Sequence, residues 1–381
     1  MKLCFPNFGA LGLVLETLCR QEKLDYTKPS QNLEEALVLG SRMSPEGVCL
    51  PMKRILGEFL QAAEQGADTA LFLGGSGPCR FGYFAPLFQT IFDQNHINLR
   101  VVAMEAPSGN RIGFLRELAY IIGCSEKRAA RLLLSGWNAL RWLDRWEETR
   151  LSALAVYGIT GPRAQSAESF RQLTIQLQEW CKTWQLKSPQ EVIQVGIIGD
   201  IYTTIDTAIN HELQEELARL GIMTKRSISL SRHLVHTVFG NRRQQAAAKP
   251  YLPRPIGGFA VETIGAGRQF IQKNFDGLIQ VYPLSCMPEI VADGILSGMQ
   301  QEYNMPVLRL VIDEHSGRAG NQTRIEAFAD MLKQRKKMNG EKQKTKEKTG
   351  GKAHEGILFG YRHGVCEHEP GADGAGSRHR P

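Results

Sequence analysis

Hydrophobic and polar positions divide the chain into stretches of period two, period 3.6 and no period. The chain opens on a short strand-like start, Met1 to Pro6, and a helix follows through Cys19. Residues 50–66 repeat apolar side chains at helical spacing and stop at Gly66. Thr69 to Leu73 then reads as a buried strand, Tyr83 to Asp93 as an amphipathic helix, and Leu99 to Met104 as a second buried strand. Strand, turn, helix and strand in that order predict a mostly parallel α/β layer. Residues 110–190 read as helical. All five tryptophans lie there, and Leu133, Trp137, Leu140 and Leu143 recur every three or four positions. That spacing favours packing over stacking on bases. A second α/β unit begins with the strand Val192 to Gly199. It continues through a helix over 205–220, the segments Glu262 to Gly265 and Gly277 to Tyr282, and the strand Val307 to Ile312. Arg324 to Leu332 is the last well-formed helix.

The pattern predicts a first α/β domain over 1–110, a helical insert or linker over 111–190, a second α/β domain over 191–332, and a basic, disordered tail over 333–381. The whole chain has 381 residues and a formal net charge of +7. Residues 332–381 hold 12 Lys+Arg against 6 Asp+Glu, leaving 34 against 33 in the rest. The basic character therefore belongs to the tail, and nucleic acid is not the expected partner of the body of the chain. No window is long and apolar enough to span a membrane, and no secretory cleavage signal is visible. Eight cysteines without such a signal point to a reduced, cytoplasmic setting.

Three cysteines share a setting. Cys49, Cys79 and Cys286 each sit near a proline at a loop or helix start, and at least two follow a strand. Loops at the carboxyl ends of parallel strands converge, so three thiolates could meet there as soft metal ligands. The alternative is that they are small apolar side chains packing loops. No CxxC pair occurs, which disfavours a zinc ribbon, a thioredoxin-like site or a ferredoxin run. Cys4 ends the first strand and is a fourth candidate. Gly74-Gly75-Ser76-Gly77 follows a strand and matches neither a Walker motif nor GxGxxG. Gly75, Ser76 and Gly77 can turn backbone N–H groups toward an anion or cluster sulfurs, and a tight turn that positions Cys79 fits better than a nucleotide site.

Gly199-Asp200-Ile201-Tyr202, with Asp206 and Asn210 beyond, either orients a substrate or caps the next helix. Asp313 and His315 are candidates for proton handling, against the alternative of an N-cap and surface ion pairs. Arg80 is placed to adjust charge at the thiols. His233 and His236 have ligand-like spacing but no acidic neighbour in sequence, which fits a solvated helix end.

Five motifs occur in order across residues 1–332: Cys49-Leu50-Pro51-Met52-Lys53 with Gly57, Gly77-Pro78-Cys79-Arg80-Phe81-Gly82, Gly199-Asp200-Ile201-Tyr202, Ser285-Cys286-Met287-Pro288-Glu289, and Ile312-Asp313-Glu314-His315 running into Thr323 to Phe328. In these the chain resembles the 2-hydroxyacyl-CoA dehydratase-related superfamily, in its activase-associated branch. Members of that branch often carry Glu where Asp200 stands. The resemblance implies two or three Rossmann-like domains with mostly parallel sheets around a [4Fe-4S] cluster, single or as a double cubane, in an inter-domain crevice. Its ligands would be Cys49, Cys79 and Cys286, with Cys4 as a further one. It also implies an iron–sulfur, dehydratase-like protein of anaerobic metabolism that takes low-potential electrons from an ATP-dependent activator of actin/Hsp70-like fold. The reaction would be a reductive or radical dehydration of an acyl-CoA substrate, carried out with a second dehydratase-like subunit or as a homodimer. The alternative on the same fold is a non-catalytic iron–sulfur electron carrier or scaffold.

Overall fold

A computed structural model describes residues 1–28, 32–74, 79–104, 111–184 and 192–349. The described strands form two sheets in which every pairing is parallel. The first sheet orders β1 (Leu3–Cys4), β2 (Thr69–Leu73) and β3 (Arg100–Met104) as β1-β2-β3. The second orders β4 (Ile193–Gly199), β5 (Ile222–Arg226), β6 (Gly277–Pro283) and β7 (Val307–Ile312) as β5-β4-β6-β7. Parallel neighbours require long crossovers. Here these are α1 (Ala10–Gln21), α2 (Leu33–Met43), α3 (Leu50–Glu64) and α4 (Phe84–Gln94) in the first part. Between the sheets run α5 (Arg111–Ile122), α6 (Glu126–Tyr157) and α7 (Phe170–Thr183). The second sheet carries α8 (Ile201–Ile205), α9 (Leu213–Arg219), α10 (Leu230–Phe239), α11 (Arg242–Ala248), α12 (Ala260–Gln272), α13 (Met287–Tyr303) and α14 (Arg318–Thr349).

The result is a mixed α/β fold with parallel sheets and several helices. Strand β6 is buried along its whole length, and β4 at all but one residue. That is why both read as near-continuous apolar runs rather than alternating ones. Residues of both sheets share one core cluster, in which Phe72 and Ala70 join Val195, Val281 and Leu310. Residues Met1–Met338 form one unit. Of the second unit, Asn339–Pro381, the described residues, up to Thr349, are helical. Helix α14 thus runs past Leu332, where the apolar pattern fades.

Helix α2 crosses α3 backbone to backbone. A Cβ on Gly40 would stand 1.7 Å from the Lys53 carbonyl oxygen, and one on Gly57 1.7 Å from that of Ala36. The tryptophans pack. Trp146 is 1% exposed, its ring centroid lies 5.0 Å from Trp180 and 5.6 Å from Trp184, and its N–H donates to the Pro162 carbonyl.

The helix expected over 205–220 is interrupted: α8 ends at Ile205 and α9 starts only at Leu213. Asp206 accepts from the N–H groups of Ala208 and Ile209, and Asn210 donates to the carbonyls of Thr203 and Thr204. Side chains of this type compete with the helix for backbone partners. His211 and Glu212 then take positive φ of 55° and 58° before α9 starts.

Candidate functional site

Helix α3 organises the candidate site, because the carboxyl ends of four strands meet its first three turns. Cys49 is its N-cap in extended backbone, and a proline follows in the first turn. Cys79, just after β2, and Cys286, the N-cap of α13 after β6, both lie within electrostatic reach of the Cys49 thiol. Arg80 ties the two ends together. Its guanidinium donates to the Gly47 carbonyl at 3.1 Å and to the Ser285 carbonyl at 2.8 Å. One turn further along α3, Lys53 pairs with Glu314 from the end of β7. Next comes Arg54, bonded to Glu58, with Tyr202 and Asp206 from beyond β4 facing it.

The second sheet has its topological switch at β4 and β6, since the chain leaves β4 for β5 on one side and returns to β6 on the other. Open parallel sheets bind ligands at such points. The two strands close up tightly here. Gly199, at φ 135°, ends β4 so near β6 that a Cβ would stand 1.9 Å from the Val281 carbonyl oxygen. Only glycine fits there.

Two buried carboxyls flank the switch. Asp200 is the N-cap of α8 and accepts from the N–H groups of Tyr202 and Thr203, while the Thr203 hydroxyl sits between it and the Val281 carbonyl. Burial pushes its pKa up to about 6 against the pull of these hydrogen bonds. Glu289, in the first turn of α13, is fully buried and accepts from the Thr263 hydroxyl at 2.8 Å and the Gln280 amide at 3.0 Å. Burial pushes it up to about 8, and the nearby Asp200 adds to the shift. The thiols stay protonated for related reasons. Burial and then Asp200 push Cys49 up to about 12, and the same two causes raise Cys286 further. The N–H groups of Met52 and Glu289 and the Arg80 charge pull the other way without prevailing.

The iron–sulfur expectation fails on this geometry. Among the described residues no group of three or more His, Cys, Asp or Glu is arranged to hold a metal ion. Cys49, Cys79 and Cys286 approach one another, yet each stays at the start of its own helical segment. The [4Fe-4S] cluster, single or double, falls with that finding. So do the dehydratase-like activity, the electron-carrier alternative, and metal binding and electron transfer as roles of this chain.

The remaining sequence candidates separate. Cys4 is 1% exposed in the core cluster, where burial and then Asp68 raise its pKa to about 12. Asp313 caps its own turn by accepting from the His315 N–H and the Ser316 hydroxyl, and His315 is exposed. Burial opposes charge on Asp313, but those donors hold its pKa below the usual value. Gly75, Ser76 and Gly77 lie outside the described residues. Burial lowers the His233 pKa to about 4, and its half-buried ring packs on Phe259, so it is not the fully solvated helix end that its spacing suggested.

Sequence reading missed Arg54, Glu58 and Glu289 as site residues. The signal was present for the first two: opposite charges four apart inside an otherwise apolar face of LPMKRILGEFL. Glu289 carried no such signal, because its partners Thr263 and Gln280 come from distant elements. No helix among the described residues is long and apolar enough to cross a membrane. No family model matches the chain, and no curated protein matches it.

Proposed function

We propose that the chain binds a small carboxylate-bearing molecule where β4 and β6 part, beside Cys49 and Cys286, with Asp200 and Glu289 as a proton-holding pair. The observation that carries this reading is the carboxyl pair at the topological switch, with pKa values raised to about 6 and about 8. Two titratable groups with separated affinities around neutrality are the usual arrangement for proton transfer. The first turns of α3 and α13 start from cysteine N-caps in extended backbone. Their positive ends, with Arg80 and Lys53, favour an anion. The exposed Leu284 and Met287, at 52% and 63%, supply apolar contact at the rim.

The test is a thermal-shift panel of small carboxylates, amines and polyols, followed by titration of the best compound. A carboxylate is expected to raise the melting temperature. Cys286→Trp, which fills the site, is expected to weaken it by at least about tenfold, whereas Cys286→Ser retains it. Folded protein that responds to no carboxylate, or binds it equally well as Cys286→Trp, overturns the reading.

A further inference from the structure

A cavity lies on the far side of β4, against the edge strand β5. It has a volume of about 550 Å³, within the range of small-molecule sites. Six cationic side chains line it: Lys225 and Arg226 at the end of β5, Arg232 on α10, Arg242 and Arg243 on α11, and Lys273 at the end of α12. No acidic side chain is among its lining residues. Among the described residues none of the six takes part in an ion pair. Glu262 bonds to Asn241 of the lining, and burial raises its pKa. Arg232 also donates to the Ser227 carbonyl, which fixes its guanidinium at the wall.

The convergence shows in the electrostatics. Burial lowers the Lys273 pKa, and the charges of Lys225, Arg243 and Arg232 lower it further. Burial and then Arg232 do the same to His236. Like charges held together across four elements destabilise the empty cavity, and an anion of matching charge relieves that repulsion.

We infer that this cavity binds a ligand carrying a diphosphate or triphosphate group. A linked di- or triphosphate presents more oxygens than a single phosphate to fork-shaped guanidinium donors, and so suits a wall that gathers cations from β5, α10, α11 and α12. Phe239, 72% exposed, stands at the rim. This site is separate from the carboxylate site at the β4–β6 switch, so either can fail alone.

The test is calorimetric titration of the full chain at physiological salt with pyrophosphate, ADP, orthophosphate and a single-stranded oligonucleotide. Pyrophosphate and ADP are expected to bind at least about tenfold more tightly than orthophosphate. The exposed pair Arg243→Gln with Lys273→Gln is expected to lose about tenfold or more in affinity while melting no lower than the parent, because repulsion is relieved. Arg131→Gln, an exposed side chain on α6, serves as the charge control and is expected to change nothing. Tighter binding of ADP than of pyrophosphate supports the proposal with a nucleotide as the source, and equal binding supports it with the diphosphate itself. No binding of either at 1 mM on the scale of a weak site, equal loss in the control, or preference for the oligonucleotide overturns it.

Discussion

The Arg54 Nε lies 2.7 Å from the Glu58 carboxylate, one turn along α3, and both side chains are 1% exposed. Asn7 donates its N–H to the other carboxylate oxygen at 3.0 Å. Tyr202 and Asp206 face the guanidinium, and Arg54 Nη1, the Tyr202 hydroxyl and Asp206 Oδ2 have no hydrogen-bond partner among the described residues. Burial raises Glu58 to about 7, while the acidic groups around Arg54 keep the guanidinium charged. Glu58→Gln therefore leaves a buried cation with less compensation and is expected to cost about 3–5 kcal/mol. Arg54→Met combined with Glu58→Leu removes both charges and is expected to cost less than Glu58→Gln alone. Denaturant midpoints measure this. A double variant less stable than the single would show that the pair adds net stability.

Gly57 faces the Ala36 carbonyl and Gly40 the Lys53 carbonyl, so the α2–α3 crossing has no room for a side chain. Backbone atoms cannot rotate away as a side-chain tip can. Gly57→Ala is expected to force the helices apart at a cost above the usual overpacking range of about 1–3 kcal/mol. The same shift moves Cys49 and Lys53 relative to the strand ends. Gly47→Ala, an exposed glycine with nothing within 4 Å but φ 74°, is expected to cost only about 1 kcal/mol of backbone strain. Equal melting temperatures for the two variants would contradict the close crossing.

Thr69 to Leu73 and Val307 to Ile312 are strands with the boundaries read from the chain, because short, mostly apolar runs bounded by turn signals favour a strand. The edge strand Ile222–Arg226 was not legible, since its MTKR end is polar where it borders the basic cavity. Helices α10 and α11 escaped for the same reason. The meeting of Cys49, Cys79 and Cys286 followed from loops at strand ends, but spacing carries no information on distance or geometry, and the metal group did not form. The acid pair was half legible. Asp200 and Glu289 both stand in the five motifs, but only Asp200 was read as orienting a substrate or capping a helix, because the pKa of Glu289 depends on burial under α12 and β6 that no local pattern reports.

Glu289 makes stability fall as pH rises. Its folded pKa of about 8 lies above the ordinary carboxylate value of 4.5, so the folded state holds a proton that the unfolded chain has released. Its favourable contribution is complete below about pH 4.5 and is lost as pH rises toward 8. Asp200 adds the same sign between 3.8 and about 6. Each group supplies at most about 1.4 kcal/mol per pH unit. Glu289→Gln keeps a hydrogen-bonding amide without the titration and is expected to flatten the profile between pH 6 and 8. This is to be read from urea midpoints at several pH values, and an unchanged slope would remove Glu289 as the source.

The Cys49 thiol tests the electrostatics at the junction without any ligand. With its pKa pushed up to about 12 by burial and by Asp200, its thiolate fraction at neutral pH is about a thousandfold below that of an ordinary thiol near 8.5. Alkylation by iodoacetamide, followed by peptide mass spectrometry, is expected to be slower by about that factor in the folded protein than in denaturant. Two charge variants are expected to move the rate in opposite directions. Asp200→Asn removes the charge that most disfavours the thiolate and speeds the reaction, whereas Arg80→Gln removes a favourable one and slows it. Arg80 is exposed and bonds only to carbonyls, so its loss leaves the core intact. General loosening of the junction would speed alkylation in both variants, so a rise in Arg80→Gln would separate loosening from charge and refute the electrostatic account.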